Sequence, residues 1–349
     1  MGCFERIVYF YSVQNQSGIQ DFMKKVLGLG NALVDILVKL DNDDILNQYN
    51  LEKGSMKLVD REFVNQILGS TSKITKKTTS GGSAANTIHG LSHLGVDTAF
   101  IGKVGKDEYG YIFENDLTKN NIKPILMKGI ADTGRAVALI TPDSERTFTT
   151  YLGSAIELTA NDINENLFKG YDFFHIEGYL VQNQELTRKA LQYAKSSQLT
   201  ISLDLANFHV VNANKEFLKD IISKYVDIVF ANEDEATSLT GLEASTAVFQ
   251  LAEICDIAVV KLGANGSVIK KAEHYYRVKA FTANAIDTTG AGDLYASGFL
   301  YGLAQELPLN KCGEIGSLVS SKVVEVIGPK LDRSEWDMIT DKVNRIIKS

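Results

Sequence analysis

The sequence predicts an α/β protein with a central, mainly parallel sheet flanked by helices and a small β-rich appendage. Short β-branched or aliphatic runs ("KVLGLG", "TAFIGKV", "DFFHIEG", "LTISLDL", "VDIVFAN" and "IAVVKLG") alternate with helix-period segments, which is the rhythm of βαβ units. That rhythm breaks twice, at residues 34–59 and 123–152, where strands joined by turns carry alternating polar residues and little helix. These two segments are expected to build the appendage. Repeats and low-complexity tracts are absent, and "STSKITKKTT" reads as a polar loop.

The 349 residues suffice for a substantial core. Thirty-six basic against 43 acidic residues give a net charge of -7, with no basic cluster beyond short runs such as Lys76-Lys77, so a small-molecule partner is expected and a nucleic-acid surface is not. Three cysteines, Cys3, Cys255 and Cys312, show no CxxC spacing, which opposes a disulfide framework and a cysteine-built zinc site and places the chain in the cytoplasm. The opening "MGCFERIVYFYSVQNQ" lacks a cleavage site, its apolar run stops at Ser12, and Arg6 stands where myristoylation wants Ser or Thr, so no membrane association is expected. Met23 directly precedes the first strand, so residues 1–22 read as an extension from a misassigned start and 23–349 as the working domain.

The glycines ask for a phosphate test. "GLGNAL" fails the dinucleotide fingerprint because Leu33 occupies the third glycine position, and no G-x-x-x-x-G-K-[ST] occurs. What remains is Gly290-Ala291-Gly292-Asp293 opening the helix "DLYASGFLYGLAQE". This is either a helix start capped after a Gly-rich turn or an anion site of backbone N–H groups with a carboxylate beside it, the pair that transfer of a phosphoryl group to a hydroxyl requires.

Four further segments each allow two readings. In "TSGGSAANTIHGLSHLG", Gly81 and Gly82 precede a helix capped by Ser83, with Asn86 on the first turn; the segment suits a ligand or hinge, or a flexible turn with a buried Asn. His89 and His93, spaced i, i+4 on that helix, read as packing. In "GLGNALVD", Asn31 and Asp35 fall at the carboxyl end of a strand and suit a vicinal diol, or strand-end turn chemistry. "FANEDEATSL" puts Glu233, Asp234 and Glu235 after Asn232 in a first helical turn, as dipole partners or as holders of a hydrated Mg²⁺. "VVKLGANGSVIK" turns at Gly263 and Gly266, as a hairpin or as a rest for a nucleotide.

Taken together, "TSGGSAANTIHGLSHLG" followed by "FIGKVGKDEYG" resembles the first signature of the ribokinase-like (phosphofructokinase B) family of carbohydrate and nucleoside kinases, and "DTTGAGDLYASGFLYG" resembles the second. "NEDEA" lies between them as in that family, and the resemblance covers residues 26 to about 330. "GLGNALVDI", "EKGSMKLVD", "TPDSERTFTTYLGSAIEL" and "HIEGYL" are most similar to the bacterial adenosine kinase branch.

The resemblance implies a ribokinase-like core with a β lid, ATP as phosphoryl donor, and Mg²⁺. It implies that Asp293 is the catalytic base and that the amides of Gly290, Ala291 and Gly292 form the anion hole. Arg146 is implied to reach the phosphates when the lid closes; Asn31, Asp35, Gly81, Gly82 and Asn86 to surround the ribose; and Met56, Leu58 and Tyr179 to hold the base. Asn232 and Glu235 are implied to organise Mg²⁺ and ATP, Glu235 through water, and Lys261, Gly263 and Gly266 to wall the ATP site. Some members use a monovalent cation near the loop holding Asp287, which makes K⁺ a candidate there, and exposed lid strands admit a homodimer. The expected reaction is phosphorylation of the adenosine 5′-hydroxyl to give AMP. The alternatives are a kinase of the same family for ribose, fructose, inosine or guanosine, a non-catalytic nucleoside or sugar sensor, and, opposed by Leu33, a dinucleotide-dependent oxidoreductase.

Overall fold

A computed structural model describes residues 24–143 and 145–349; the expected extension, 1–22, with Cys3, lies outside the described residues. In chain order the strands are β1 Val26–Leu29, β2 Leu33–Lys39, β3 Met56–Leu58, β4 Lys76–Gly81, β5 Thr98–Val104, β6 Ile122–Lys128, β7 Gly134–Ile140 and β8 Arg146–Tyr151. After them come β9 Phe173–Glu177, β10 Thr200–Asp204, β11 Ile228–Asn232, β12 Ile257–Lys261, β13 Ser267–Lys271 and β14 His274–Val278. The helices are α1 Asp44–Gln48, α2 Arg61–Ser70, α3 Ser83–His93, α4 Glu108–Lys119, α5 Gln184–Ser196 and α6 Phe208–Ala213. They continue with α7 Lys215–Tyr225, α8 Glu233–Thr240, α9 Ala244–Leu251, α10 Ala291–Ala304, α11 Leu309–Val323 and α12 Arg333–Lys348.

The large sheet runs β14-β13-β12-β11-β10-β9-β1-β5-β6, parallel except at β12-β13-β14. Its central strands are covered on both faces, which is why they read as apolar runs rather than alternating ones. One face packs on a core that includes Ile88, Phe299, Leu318 and Trp336, from α3, α10, α11 and α12. The other packs on Leu186, Ile221, Leu239 and Val248, from α5, α7, α8 and α9. The exception inside a strand is His175 of β9; its Nδ1 meets Ser202 Oγ of neighbouring β10 at 2.9 Å, and burial pushes its pKa down to about 4, so the ring stays neutral.

The polar residues of β9, β10, β11 and β12 that matter come last in each strand: Glu177, Asp204, Asn232 and Lys261. Asn31 follows β1 just beyond its end. Because β1, β9, β10, β11 and β12 are consecutive neighbours, these five side chains form a row along the carboxyl edge of the sheet.

Helix α10 is buried on nearly every side from Leu294 to Gly302. Its small residues permit that: Gly298 and Gly302 lie against Gly316 and Cys312 of α11, and Ser297 against Gly90 of α3. The alternation of small and large residues after Asp293 is therefore a packing pattern that holds the helix N-terminus in place.

The smaller sheet, β3-β8-β7-β2-β4, stands over the carboxyl edge. It corrects three expectations. Asp35 does not end the first strand; the chain leaves the large sheet at Gly30 to Ala32, and Asp35 hangs from β2 of the smaller sheet. Residues 123–128 belong to β6, the parallel edge strand beside β5, so only the remainder of the 123–152 segment, β7 and β8, joins the smaller sheet. "KKTTSG", within and just after the expected polar loop, is β4; its lysines and threonines are what an exposed edge strand carries. No helix among the described residues is long and apolar enough to cross a membrane.

Candidate active site

A cleft of about 1110 Å³ lies between the carboxyl edge of the large sheet and the smaller sheet. It is large enough for two nucleoside-sized ligands placed end to end. Asp35, Gly82, Asn86, Tyr179, Asn232, Glu235, Lys261, Gly263, Gly266 and Gly290 to Asp293 all line it. Residues more than 200 positions apart are thus brought to one wall.

Asp293 sits in the first turn of α10, and both of its carboxylate oxygens are held from α3. Ser83 Oγ donates to Oδ1 at 2.7 Å and Asn86 Nδ2 to Oδ2 at 2.9 Å, while Thr87 Oγ1 donates to the Asp293 carbonyl at 3.1 Å. Ser83 was expected to cap α3; the cap is Gly82, at φ 98°, where a side chain would strike the Asn31 carbonyl, and the freed hydroxyl orients the Asp293 carboxylate instead. Burial raises the Asp293 pKa to about 6, against the two hydrogen bonds and Lys261. The group is a carboxylate at neutral pH and close to the range a general base needs.

At the turn implied to form an anion hole, one of the three expected amides is engaged within the turn itself. Gly290 is the N-cap of α10 at φ 76°, and the Ala291 N–H closes the turn onto the Thr288 carbonyl at 3.1 Å. Among the described residues, the N–H groups of Gly290, Gly292 and Asp293 have no acceptor and point from the helix start into the cleft wall.

Lys261 and Asp204 complete this end of the cleft. Lys261 Nζ donates to Asp204 Oδ2 at 2.8 Å, and it is the atom a Cβ on Gly292 would meet, at 2.9 Å. Lys261 therefore places a cation beside the N-terminus of α10 as well as in the wall of the cleft. Burial opposes its charge, but Asp204 and Glu235 outweigh that and hold its pKa above the ordinary lysine value.

Glu235 is buried and its oxygens accept from Asn232 N and Nδ2, each at 2.8 Å, in a capping box. Burial raises its pKa to about 7, with Lys261 opposing. Both oxygens being engaged, this donor set fits a hydrated Mg²⁺ carried by nucleotide phosphates rather than a directly ligated one. Among the described residues no group of three or more His, Cys, Asp or Glu is placed to hold a metal.

Six expected residues stand elsewhere. The Asn31 N–H and Nδ2 both donate to Glu177 Oε1, at 3.0 and 2.6 Å, so its amide nitrogen braces the site from beneath the cleft floor. Met56 and Leu58 do not line the cleft: they are 51% and 57% exposed on edge strand β3, and the apolar wall is made by Leu33, Phe148 and Tyr179. Arg146 of β8 is ion-paired with buried Asp287, which also accepts from Thr289 N and Gly328 N. Arg146 thus pairs with the residue implied to stand near a monovalent cation. Gly81 lies against the Asp35 carboxylate, where a Cβ would collide with it.

Glu177, Asp204, Ser83 and Phe148 were missed. Glu177 and Asp204 end apolar runs, as Asn31 does, and the same strand-end rule would have found them. Glu177 also accepts from the Ala84 N–H at 2.9 Å, and burial raises its pKa to about 7.

A parallel sheet whose strand ends meet a helix N-terminus, a braced carboxylate and a buried lysine, in a two-ligand cleft under a second sheet, defines a small-molecule kinase. The chain belongs to the pfkB family of carbohydrate kinases, whose model matches residues 65–336. It is an ATP-dependent kinase of a sugar or a nucleoside.

A probable sugar kinase from Rhizobium etli CFN 42 is 33% identical and superposes with a TM-score of 0.82, covering 92% of this chain and 98% of that one. The adenosine kinase from Sinorhizobium meliloti is 32% identical with a TM-score of 0.82, covering 92% and 99%. The guanosine-inosine kinase of Escherichia coli K12 is 30% identical over 62% of this chain and 52% of its own length.

Proposed function

We propose that the enzyme transfers the γ-phosphoryl group of ATP to the 5′-hydroxyl of adenosine, giving AMP and ADP. The observation that carries the acceptor is the pairing, in one cleft, of Asp35 with the apolar wall of Leu33, Phe148 and Tyr179. A carboxylate suits a vicinal diol, and an apolar and aromatic wall suits a purine. Burial raises the Tyr179 phenol, which therefore stays neutral.

In this reading Asp293, aligned by Ser83 and Asn86, takes the proton of the attacking hydroxyl. The hydroxyl oxygen forms its bond to the γ-phosphorus as the bond to the β–γ bridging oxygen breaks, and ADP leaves. The N–H groups of Gly290, Gly292 and Asp293 with Lys261 stabilise the charge on the transferring group. Asn86 Oδ1, buried and without a partner among the described residues, is left to accept from a substrate hydroxyl. Asn232, Glu233 and Asp234 edge the nucleotide end. Mg²⁺ entering with ATP would neutralise phosphate charge there. Met56 and Leu58, exposed on the same face of the smaller sheet as Phe148, would close on the base or meet the sheet of a second copy in a homodimer.

A sugar kinase is the second reading, favoured by the equal likeness to the Rhizobium etli protein. Initial rates with ATP and adenosine, inosine, guanosine, ribose and fructose separate the two. Highest kcat/KM for adenosine is expected, and faster turnover of a free sugar than of every nucleoside would sink the assignment.

A further inference from the structure

The turn Gly328-Pro329-Lys330, between α11 and α12, belongs to no motif singled out in the sequence, yet it touches Asp287, β2 and the start of α10. The Gly328 N–H donates to Asp287 Oδ2 at 2.6 Å, and a Cβ on Gly328 would meet Leu37 Cδ1 of β2 at 3.0 Å. Pro329 lies so close to Gly290 that a Cβ there would come within 2.5 Å of the proline ring. The turn is thus wedged between the strand that carries Asp35 and the anion hole.

Lys330 follows, and its Nζ is buried with no hydrogen-bond partner among the described residues. An ammonium in that state is costly and needs nearby negative charge. Three carboxylates supply it: Asp35 from β2, Asp116 from α4 and Asp293 from α10. Two of them are already engaged, Asp116 by Ser80 Oγ and Asn120 Nδ2, Asp293 by Ser83 and Asn86. Asp35 alone has no hydrogen-bond partner among the described residues, and it faces the cleft. No ion pair within 4 Å joins the two among the described residues; Lys330 acts on Asp35 through its field, from a turn that packs against Leu37, two residues further along β2.

We propose that Lys330 is a positioning residue for the acceptor, a fixed cation near β2 whose charge favours the Asp35 carboxylate that accepts hydrogen bonds from the acceptor's hydroxyls. The proposal rests on the reading of Asp35 as a hydroxyl-binding group. Burial raises the Asp35 pKa to about 7, Lys330 pulls it down, and Asp293 adds to the rise. The remaining groups that face Lys330 are His89 and His93 of α3; burial, then the Lys330 charge, holds His89 well below the usual imidazole range and His93 at about 4, so neither brings a charge. Lys77 of β4 acts on Asp332, beyond the turn. Lys330 itself is lowered by burial to about 8 and remains charged at neutral pH.

The test compares Lys330→Met, Lys330→Gln, Lys330→Arg, Asp35→Asn and Lys330→Met/Asp35→Asn, with adenosine and ATP varied separately from pH 6.5 to 9 and folding checked by near-UV circular dichroism. The neutral variants should raise the acceptor KM about fivefold at pH 7, because a rise of one unit from about 7 cuts the ionised fraction of Asp35 from about one half to about one tenth. That loss should shrink toward pH 9, where Asp35 ionises unaided, with the ATP KM unchanged. Lys330→Arg, which keeps the charge, should follow the wild-type profile. The double variant should be no worse than Asp35→Asn. A normal acceptor KM in Asp35→Asn removes the reading of Asp35 and this proposal with it. An impaired Asp35→Asn beside a neutral Lys330 variant that is silent, or that loses kcat equally at every pH, overturns the role of Lys330 alone. Should Lys330→Met fail to fold, Lys330→Gln and Lys330→Arg carry the comparison.

Discussion

Lys261 Nζ donates to Asp204 Oδ2 across the end of β11, at 2.8 Å, with both side chains buried. The pair fixes a cation next to Gly292, where phosphoryl charge would develop. Lys261→Met should lower kcat about 100-fold, the scale of losing one preorganised charge stabiliser. It should also cost about 3 kcal/mol of stability, because Asp204 is left buried and unpaired. Lys261→Met/Asp204→Leu should recover the stability and not the activity. Urea melts beside steady-state kinetics check this, and a double variant as unstable as the single one would show that the pair is not the source of the loss.

The pH dependence of Asp293 has a definite sign. As the proposed base it must be ionised, so kcat/KM should fall as pH drops through about 6. For stability the sign is opposite. A carboxyl whose folded pKa is raised from 3.8 to about 6 contributes stability that is fully present below the unfolded value and lost as pH rises through the folded one. Asp293→Asn should therefore lose roughly 10³ in kcat and be more stable than wild type by about 1–2 kcal/mol at pH 8. About half of that gain should vanish at pH 5. Thermal melts at the two pH values measure it, and an equal gain at both would exclude ionisation as the cause.

Two neighbouring glycines should fail in different ways. Gly290 has φ 76° and lies against Pro329, so Gly290→Ala combines left-handed strain with a collision against the proline ring and should cost about 2 kcal/mol or more. Gly292 has ordinary helical geometry, and its added methyl would meet only the tip of the Lys261 side chain. Gly292→Ala should melt within about 0.5 kcal/mol of wild type yet lose kcat by displacing the lysine. Activity that tracks stability in both variants would contradict the placement of Lys261.

The fold was legible because its signals are periodic. β1, β9, β10, β11 and β12 are apolar runs bounded by turns, and the helices between them keep their spacing. Asp293, Gly290, Asn232 and Lys261 were legible because a glycine turn or a strand end marks each one in the sequence. Asp204 and Glu177 carried the same mark and were passed over, since a lone acid at the end of a strand is unremarkable until its neighbours in the sheet are known. β4 was hidden by its own role, an edge strand being polar where a core strand is not. Lys330 and Ser83 could not be read at all. What distinguishes Lys330 is the lack of a partner, and what distinguishes Ser83 is a partner 210 residues away.

Arg146 ties β8 of the smaller sheet to Asp287, at the head of the loop that leads to the anion hole. The pair is buried, and the Nε and Nη2 of Arg146 are without partners among the described residues. A guanidinium so placed can do two things: neutralise Asp287, and offer its spare N–H groups to a phosphoryl oxygen when the sheets approach. Arg146→Met removes both and should cost about 3 kcal/mol of stability along with at least tenfold in kcat. Arg146→Lys keeps a cation for Asp287 and discards the fork. It should restore most of the stability while kcat stays about tenfold down, because an ammonium engaged by Asp287 has no planar pair of donors to turn toward the cleft. Full recovery of kcat in Arg146→Lys would mean that Arg146 is a tie between the two sheets and nothing more.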